Sequence, residues 1–275
     1  MTAPPLTWLY APGDRPRVVA KALTAGADVV VIDLEDAVAP DRKEYARAAT
    51  AELLSAPQPV PVHVRVNALD GPLAPRDLEA MVGRPGLSGL RLPKVTSPEQ
   101  IIRTAERFTP AAGAPALYAL LESALAVEHA HAIASAHPAL RGIALGEADL
   151  RADLGVREDA GLDWCRSRIV VAARAAGLPP SPQSVHPDIR DLEGLAASCA
   201  HGRTLGFLGR AAIHPRQLPI IERAYLPTER EVEEAETIVK AASTQQGAQA
   251  LPDGRFIDAA VVAAAHRTLS LARRN

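Results

Sequence analysis

The sequence predicts an α/β fold, specifically a (β/α)₈ barrel with a C-terminal helical extension. Short apolar runs alternate regularly with longer amphipathic stretches along most of the chain. The short runs number eight, and most are almost continuously apolar, which is typical of a parallel sheet covered by helices. An open doubly wound sheet is the alternative. No G-x-G-x-x-G follows the first run and no G-x-x-x-x-G-K-[ST] occurs, which favours the barrel.

The predicted elements follow one another in chain order. Ser97 before Pro98 is a typical helix start, and Thr228 with Glu231 forms a capping box. The predicted helices between strands cover residues 14–25, 40–55, 97–108, 123–136, 163–176 and 191–205. The predicted strands are TWLYA (7–11), DVVVIDL (28–34), VPVHVRV (60–66), GLRLP (89–93), ALYALLE (116–122), GIALG (142–146), PQSVH (182–186) and GRAAIH (209–214).

The last 50 or so residues do not fit this repeat. They predict a helix over 228–245, a hairpin-like excursion turning at Pro252-Asp253-Gly254, and a final helix over 258–274. We therefore predict a barrel domain over residues 1–226 and an extension over 227–275. The extension is either a structural cap or an arm that packs on a neighbouring subunit.

Composition excludes several classes of protein. The 275 residues carry 30 basic and 32 acidic side chains, and this balance does not provide the positive field of a nucleic-acid-binding protein. Two cysteines exclude a disulfide scaffold and a multi-cysteine metal site. The sequence has no signal-peptide pattern and no long apolar stretch, so we expect a soluble cytoplasmic protein without a membrane partner.

Charged side chains gather at the predicted C-terminal ends of the strands, where barrels of this kind carry their active sites. Solvation alone does not explain a ring of charge at one end of the barrel. In chain order, the ring consists of Asp33, Glu35, Asp36, Arg65, Asn67, Lys94, Glu122, Glu147, Asp149, His186 and His214.

Arg65 lies in a strictly alternating strand. The valines of V-P-V-H-V-R-V-N point to one face, and His63, Arg65 and Asn67 point to the other. A permanent guanidinium at the barrel mouth can hold a substrate carboxylate with two hydrogen bonds. The alternative is an ion pair with Glu35 or Asp36, and both roles can hold together.

Glu122 and Asp149 end consecutive strands, so their carboxylates can meet over one point. Two carboxylates with waters and a substrate oxygen suit a hard cation such as Mg²⁺. The alternative for each residue is a helix cap. No H-E-x-x-H motif or other histidine spacing favours zinc.

These segments also carry a resemblance to a known family. The matching segments occur in family order and span nearly the whole chain. They are L-Y-A-P-G-D-R-P (9–16), V-V-I-D-L-E-D-A-V (30–38), V-R-V-N (64–67), L-P-K-V (92–95), L-L-E-S (120–123), G-E-A-D-L (146–150) and A-I-H-P (212–215). The sequence resembles the citrate lyase β-subunit-like (CitE-like) branch of the HpcH/HpaI aldolase superfamily.

The resemblance implies a TIM barrel that assembles as a homotrimer or a dimer of trimers. It implies Mg²⁺, or Mn²⁺ in its place, held by Glu122 and Asp149, and a 2-oxo acid gripped by Arg65. Glu35 and Asp36 complete the predicted catalytic residues of the barrel. The predicted cofactor-binding residues, for a coenzyme A thioester, are Gly13, Arg15, Lys21 and Lys94.

In several relatives a C-terminal aspartate from an adjacent subunit covers the site as acid/base, and Asp258 matches its position. The alternative for Asp258 is an N-cap of the last helix. The sequence departs from the family pattern at Ala260, where relatives have proline, and at Ala148, where many have an acid. Arg91 also replaces a usually apolar residue.

The resemblance implies a reversible Claisen-type cleavage of a 3-hydroxyacyl-CoA into an acyl-CoA and a 2-oxo acid. Malyl-, citramalyl-, citryl- and hydroxymethylglutaryl-CoA are the candidate substrates. Three alternatives remain: a CoA-independent metal-dependent 2-oxo-acid aldolase, a malate-synthase-like condensation with thioester hydrolysis, and a non-catalytic or carrier-dependent subunit of a larger complex.

Overall fold

The computed structural model describes residues 4–108, 114–244, 249–250 and 256–274. The chain divides into two compact units. The first unit spans Leu6–Ala224, and the second contains the described residues from Tyr225 onward together with Pro4 and Pro5. The division that we predict between residues 226 and 227 lies close to this boundary.

The first unit contains one sheet whose hydrogen-bonded strand neighbours are all parallel. The strand order is β6-β5-β4-β3-β2-β1-β7, so each of the first six strands lies beside its neighbour in sequence. This is the order expected for a barrel, and the predicted fold class is confirmed. The strands are β1 (Thr7–Pro12), β2 (Val29–Asp33), β3 (Val62–Arg65), β4 (Gly89–Leu92), β5 (Ala116–Leu121), β6 (Leu140–Leu145) and β7 (Arg210–Ala212).

The prediction of eight complete strands is wrong at residues 182–186. This segment makes a single parallel bridge, between Gln183 and Arg210, and three backbone hydrogen bonds join residues 181–183 to residues 208–211. Prolines at 179, 180, 182 and 187 have no N–H to donate to a ladder, so the segment cannot form a longer strand. The predicted eighth strand is consequently the seventh observed strand, β7.

Helices follow the strands, and the predicted ones are present with shorter bounds. Residues 123–136 form two helices that break at His129, and three helices not among those predicted, α3, α7 and α10, follow β3, β6 and β7. The helices of this unit are α1 (Pro16–Ala22), α2 (Lys43–Leu53), α3 (Ala74–Met81), α4 (Pro98–Glu106), α5 (Ala124–Glu128), α6 (Ala130–Ala134), α7 (Glu147–Leu154), α8 (Asp163–Ala175), α9 (Leu192–Leu205) and α10 (Leu218–Tyr225, which ends at the first residue of the second unit).

The strand register explains how the fold brings charged groups together. Val62 and Val64 on β3 are fully buried, and the parallel register places Asp33 on β2 beside Arg65 on β3 and Arg91 on β4. Because all these strands run in one direction, their C-terminal residues meet at the same edge of the sheet.

The second unit contains α11 (Glu229–Thr244), α12 (Ala259–Ala272) and a short antiparallel pair, β8 (Gln249–Ala250) with β9 (Phe256–Ile257). The capping box predicted for Thr228 and Glu231 is present, because each backbone N–H bonds the other side chain. The turn predicted at Pro252-Asp253-Gly254 lies outside the described residues.

In the part of the chain that the structure describes, no helix is long and apolar enough to cross a membrane.

Gly209 allows β7 to pack against the start of β1, and we expect its replacement to be costly. A Cβ atom at Gly209 would lie 2.4 Å from the Leu6 carbonyl oxygen, and the backbone φ is +77°. Gly177 has a similar φ of +72° but open space around it, so Gly177→Ala is a matched control for backbone strain alone. We expect Gly209→Ala to lower the free energy of unfolding by about 1–3 kcal/mol more than Gly177→Ala, measured by urea denaturation. Equal losses would contradict a steric role for the Leu6 contact.

Candidate functional site

Arg65, the last residue of β3, is the centre of the charge cluster at the C-terminal ends of the strands. The register pairs it with Asp33, the last residue of β2. Its Nε and Nη2 atoms donate to the two Asp33 carboxylate oxygens at 2.7 and 2.6 Å. Its Nη1 atom lies 3.0 Å from Glu35 Oε2 and 3.2 Å from Asp36 Oδ2. Arg65 therefore holds three acids of the β2 end, with Asp33 as its main partner.

The charge of Arg65 is secure in this setting. Burial acts to lower the pKa of Arg65, but the hydrogen bonds and charge of Asp33 outweigh burial and raise it above its ordinary value. The guanidinium carbon also lies 5.5 Å from the centroid of the Tyr10 ring, within cation–π distance. The side chain is 14% exposed, so part of the guanidinium remains accessible at the barrel mouth.

Glu35 and Lys94 extend the cluster towards β4. Lys94 Nζ lies 2.6 Å from Glu35 Oε1 and 3.8 Å from Asp36 Oδ1. Burial raises the pKa of Glu35 above its ordinary value, although Arg65 and Lys94 oppose the rise. Burial acts to lower the pKa of Lys94, but its hydrogen bond to Glu35 raises it. The structure thus brings together Glu35, Asp36, Arg65 and Lys94, which the sequence predicts as site residues.

The backbone of Lys94 adopts an unusual conformation. Its φ of 53° makes it the one non-glycine residue with positive φ in the described part of the chain. A left-handed conformation costs roughly 1–2 kcal/mol in a residue with a Cβ atom. The Lys94 N–H donates to Glu122 Oε2 at 3.2 Å while the side chain reaches Glu35. One strained residue therefore connects the acids after β2 with the acid after β5.

Glu122 is a buried carboxyl group that lies against the end of β6. A Cβ atom at Gly146 would fall 2.4 Å from Glu122 Oε1, so glycine at 146 leaves the space that the carboxylate occupies. Burial and the negative charge of Glu35 raise the pKa of Glu122 to about 8, with a further contribution from Asp149 and opposition from Arg65. This effect of the Asp149 charge on the pKa of Glu122 is consistent with the expectation that the two carboxylates lie near each other.

Asp149 lies in the first turn of α7 and is exposed, and its neighbour Glu147 has a separate role. Both Glu147 carboxylate oxygens accept hydrogen bonds from Arg166 on α8, at 3.0 and 2.7 Å. Arg166 is buried and also pairs with Asp159 and Asp163. Glu147 therefore anchors α7 to α8. It does not take the place of the acidic residue that many relatives have at the position of Ala148.

The donor set around Glu122 suits a hard divalent cation. Mg²⁺ binds proteins through one or two carboxylates and keeps several waters. The acids Glu35 and Asp149 raise the pKa of Glu122, so negative charge crowds a space that a cation would neutralise. Among the described residues, no three His, Cys, Asp or Glu side chains surround one metal position. Glu122 and Asp149 could hold the ion only with oxygen ligands from substrate and water.

The segment after β1 carries the other predicted cofactor-binding residues. Gly13 donates its N–H to the Asp33 carbonyl at 2.9 Å, and a Cβ atom there would lie 2.9 Å from Leu34 Cδ2. The close approach of the β1 and β2 ends therefore explains this glycine without a ligand. Arg15 and Lys21 are exposed, and neither side chain has an ion pair among the described residues.

Three polar residues at the predicted strand ends lie outside the cluster. Asn67 follows the end of β3, and its N–H and Nδ2 both donate to Asp77 Oδ2, at 2.9 and 2.6 Å. His186 Nε2 lies 3.5 Å from Asp191 Oδ2, and His214 Nδ1 accepts a backbone N–H in the turn after β7. These residues stabilise local turns and packing. The strict alternation predicted through Asn67 ends at Arg65, where the strand ends.

Asp258 belongs to the second unit and is exposed. Its Oδ1 accepts a hydrogen bond from the Val261 N–H at 2.9 Å, which makes it the N-cap of α12. The cap is the alternative that the sequence raises for this residue. Gly254 and Arg255 of the matching motif lie outside the described residues.

Sequence reasoning missed the main contacts of two basic side chains, one arginine and one lysine. The sequence predicts Asp33 at the strand end, but the ion-pair partner that it predicts for Arg65 is Glu35 or Asp36. The register between β2 and β3 supplies the missing signal, because the two strand-terminal residues align. It also missed Lys43, whose Nζ bonds the carbonyls of Leu34 and Glu35 at 2.8 and 2.6 Å. No local pattern marks that contact.

The chain resembles known proteins over almost its whole length. Residues 6–215 match the family model described as HpcH/HpaI aldolase/citrate lyase. The chain is 34% identical to citrate lyase subunit beta of Leuconostoc mesenteroides subsp. cremoris, over 98% of this chain and 93% of that protein. It is 36% identical to a (3S)-malyl-CoA thioesterase of Cereibacter sphaeroides (strain ATCC 17029 / ATH 2.4.9), over 96% of this chain and 93% of that protein.

A solved structure is similar at the level of the fold. Protein CitE from Mycobacterium tuberculosis, in complex with magnesium, acetoacetate and coenzyme A, matches with a TM-score of 0.83 and 34% sequence identity. The match covers 98% of each chain. The similarity therefore includes the strand ends that carry the charge cluster.

Glu122 gives a prediction for the metal-free protein. Its pKa rises from the ordinary 4.5 to about 8 on folding, so between these pH values the folded protein holds a proton that the unfolded chain has released. The free energy of unfolding therefore falls as pH rises through this range. We expect Glu122→Gln to gain stability relative to the native protein from pH 5 to pH 8, by about 1.4 kcal/mol per pH unit at most. Urea denaturation in EDTA measures this difference.

The exposed Glu128, at the end of α5, provides the matched control. Glu128→Gln makes the same chemical change in the same segment, and its stability should follow the native pH profile. Parallel profiles for Glu122→Gln and the native protein would contradict the raised pKa.

Proposed function

The chain belongs to the HpcH/HpaI aldolase/citrate lyase family, and on this premise we propose that it is a Mg²⁺-dependent carbon–carbon lyase of CoA esters. The substrate is a 3-hydroxyacyl-CoA such as malyl-, citramalyl- or citryl-CoA, cleaved to or formed from an acyl-CoA and a 2-oxo acid, or hydroxymethylglutaryl-CoA, which gives a 3-oxo acid instead. The observation that carries the proposal is the cluster in which Arg65 and Lys94 hold acids beside the buried Glu122. Solved CitE relatives bound to magnesium with pyruvate or oxaloacetate support it.

The cation would be held by Glu122 and Asp149. When bound, Mg²⁺ supplies a Lewis acid and a template for the oxygens of the 2-oxo acid. The protein prepares this site by keeping Glu122 buried on the surface of Gly146 and by fixing its second oxygen with the Lys94 N–H. The anchor between Glu147 and Arg166 holds the first turn of α7, from which Asp149 projects.

Arg65 would bind the carboxylate of the 2-oxo acid. The pair with Asp33 uses the Nε–H and one Nη2–H, which leaves the second Nη2–H available. Asp36 is the weakest partner of Arg65, at 3.2 Å, and its side chain is 56% exposed. A substrate carboxylate can therefore take the free N–H and replace Asp36 on Nη1. The Asp33 pair keeps the guanidinium in place during this exchange.

The nucleotide part of coenzyme A carries phosphates, which bind cationic side chains. Arg15, the N-cap of α1, and Lys21 on α1 are exposed and have no acidic partner among the described residues, so both are suited to these phosphates. Lys94 pairs with Glu35 in this structure. We assign it to the side of the mouth where the thioester meets the 2-oxo acid.

Cleavage needs a base for the hydroxyl proton, and we propose Asp258 of a neighbouring subunit in a homotrimer. The proton moves to the carboxylate, the electrons of the carbon–carbon bond move into the thioester enolate, and the enolate takes up a proton at carbon. Only Oδ1 of Asp258 caps α12 in the described structure, so Oδ2 is available to accept a proton. Light scattering of the purified chain tests the trimer.

Thioester hydrolysis is a second candidate function because the chain is 36% identical to a (3S)-malyl-CoA thioesterase. The same site would then condense or cleave the carbon chain and release free coenzyme A. Hydrolysis releases the free thiol of coenzyme A, whereas the lyase reaction leaves coenzyme A esterified in the acyl-CoA, so the free thiol distinguishes the two functions. Some relatives are named as the beta subunit of citrate lyase. Co-purification of this chain with other chains therefore tests whether it belongs to a complex.

We expect the purified protein with Mg²⁺ to cleave at least one of malyl-CoA, citramalyl-CoA, citryl-CoA or hydroxymethylglutaryl-CoA. The 2-oxo acid is detected as its phenylhydrazone, the acyl-CoA by chromatography and the free thiol with Ellman's reagent. Acyl-CoA without thiol indicates a lyase, and thiol indicates hydrolysis. Activity on a free 4-hydroxy-2-oxo acid, with no turnover of the four thioesters, would replace the proposal with the CoA-independent aldolase.

Glu122→Gln removes the charge of one proposed metal ligand. Changes to residues that merely support a ligand cost about 10–100-fold in metal affinity. We therefore expect a loss of at least about 100-fold in Mg²⁺ affinity, measured by isothermal titration calorimetry, and a comparable loss of lyase activity. Glu128→Gln should leave both unchanged. If Glu122→Gln keeps native metal affinity, the metal assignment is wrong.

A further inference from the structure

Arg91, in the middle of β4, lies inside the barrel with aromatic side chains around it. Its guanidinium carbon lies 5.8 Å from the Trp8 ring, 6.0 Å from the Tyr10 ring and 5.5 Å from the Tyr118 ring. Trp8 and Tyr10 are on β1, which is separated from β4 by two strands in the sheet. Side chains from these distant strands can meet only across the interior of the curled sheet.

No acidic side chain in the described part of the chain pairs with the positive charge of Arg91. The residue is 3% exposed, and its Nε has no hydrogen-bond partner. Within the described residues, its side chain makes no hydrogen bond and no ion pair. The other buried arginines have oxygen partners: Arg47, Arg65 and Arg166 pair with carboxylates at 2.6–2.7 Å, and Arg210 bonds the oxygens of Gln183 and Ser198.

The three rings do not compensate for this burial. A cation–π contact is weak compared with the cost of burying an unpaired charge, and ring faces do not provide a lone pair for Nε. Arg91 therefore lies in an environment that a negative group would complete.

The neighbouring polar groups, His63 and Tyr118, are neutral as well. His63 Nδ1 is buried without a hydrogen-bond partner, and its ring stacks on Tyr118 with centroids 4.5 Å apart. Burial and the charge of Arg91 lower the pKa of His63 well below its ordinary value. Burial raises the pKa of Tyr118 although Arg91 opposes the rise. His63 is consequently neutral and Tyr118 protonated, so neither supplies negative charge.

We propose that the Arg91 guanidinium, inside the barrel and next to the Arg65 cluster, binds a small anionic group. The shared chemistry is a compact negative charge held by the guanidinium, and it has two sources: a free halide, or a carboxylate of the substrate that reaches into the barrel. The site is distinct from the Glu122 cluster, where acids predominate. Binding of a free halide requires no metal ion and does not depend on the proposed lyase reaction, whereas binding of a substrate carboxylate rests on the proposed function.

The first experiment measures thermal unfolding of the full chain in EDTA, with sodium bromide replacing sodium gluconate at constant ionic strength. Gluconate serves as a bulky reference anion. The native protein should show a rise in Tm that saturates with bromide, and Arg91→Met should reduce the apparent bromide affinity by at least about tenfold. Arg91→Lys retains a charge and should retain part of the response.

Arg174→Met is the matched control, because Arg174 on α8 is exposed and makes no described ion pair. Its bromide response should equal that of the native protein. An equal response in Arg91→Met and the native protein would overturn the proposal.

The second experiment locates the anion directly and does not depend on any variant folding. Crystals of the native protein grown in bromide should give an anomalous peak in contact with the Arg91 guanidinium. If pyruvate added with Mg²⁺ removes the peak, the site takes a substrate carboxylate; if the peak persists, it takes a free anion. The absence of a peak at saturating bromide, with pyruvate also remote from Arg91, would refute the site.

Discussion

The bidentate pair between Arg65 and Asp33 is the interaction on which the candidate site depends. It joins the last residues of two neighbouring parallel strands, so the backbone register itself sets its geometry. Asp33 also accepts the backbone N–H groups of Glu35 and Ala37, at 2.9 and 3.0 Å, and so shapes the loop that carries the next two acids. Four hydrogen bonds to one buried carboxylate thus place the guanidinium, Glu35 and Asp36 within a single cluster. Loss of the Asp33 carboxylate would leave the Arg65 guanidinium without its main partner and would also remove the hydrogen bonds that hold the loop after β2.

Charge is distributed unevenly along the axis of the barrel. At the strand ends, acids outnumber the cations, and the consequence is visible at Glu122, whose pKa rises to about 8 because burial adds to the repulsion from Glu35 and Asp149. On the neighbouring strand, Arg91 is aligned with Arg65 but has no acidic partner among the described residues. The near balance of 30 basic and 32 acidic residues over the whole chain conceals this separation. Unfavourable local electrostatics of both signs are typical of sites that are completed by ligands.

The strand ends were predictable because a parallel strand with helices on it is apolar and its terminal residues are not. Asp33, Arg65, Lys94 and Glu122 all follow from this pattern, and the first six strands follow from it as well. The prediction of the seventh strand was wrong because a pattern of apolar and polar residues does not count backbone N–H donors. The prolines around Gln183 remove several of these donors, so the segment makes a single bridge. Asn67 failed for a related reason: the alternation continues in the sequence, but the strand ends at Arg65 and the side chain turns to Asp77.

Local pattern alone determined the fold class, the order of the elements and the identity of most charged groups at the barrel mouth, since these depend on the period of apolar residues and on the polarity of strand ends. Tertiary structure decided the pairing. Arg65 bonds Asp33, Glu147 bonds Arg166 on another helix, and Arg91 meets rings from β1 and β5. Each of these contacts joins residues that are 19 or more positions apart. Which donor meets which acceptor over such separations depends on strand register and helix docking, and a one-dimensional pattern contains neither.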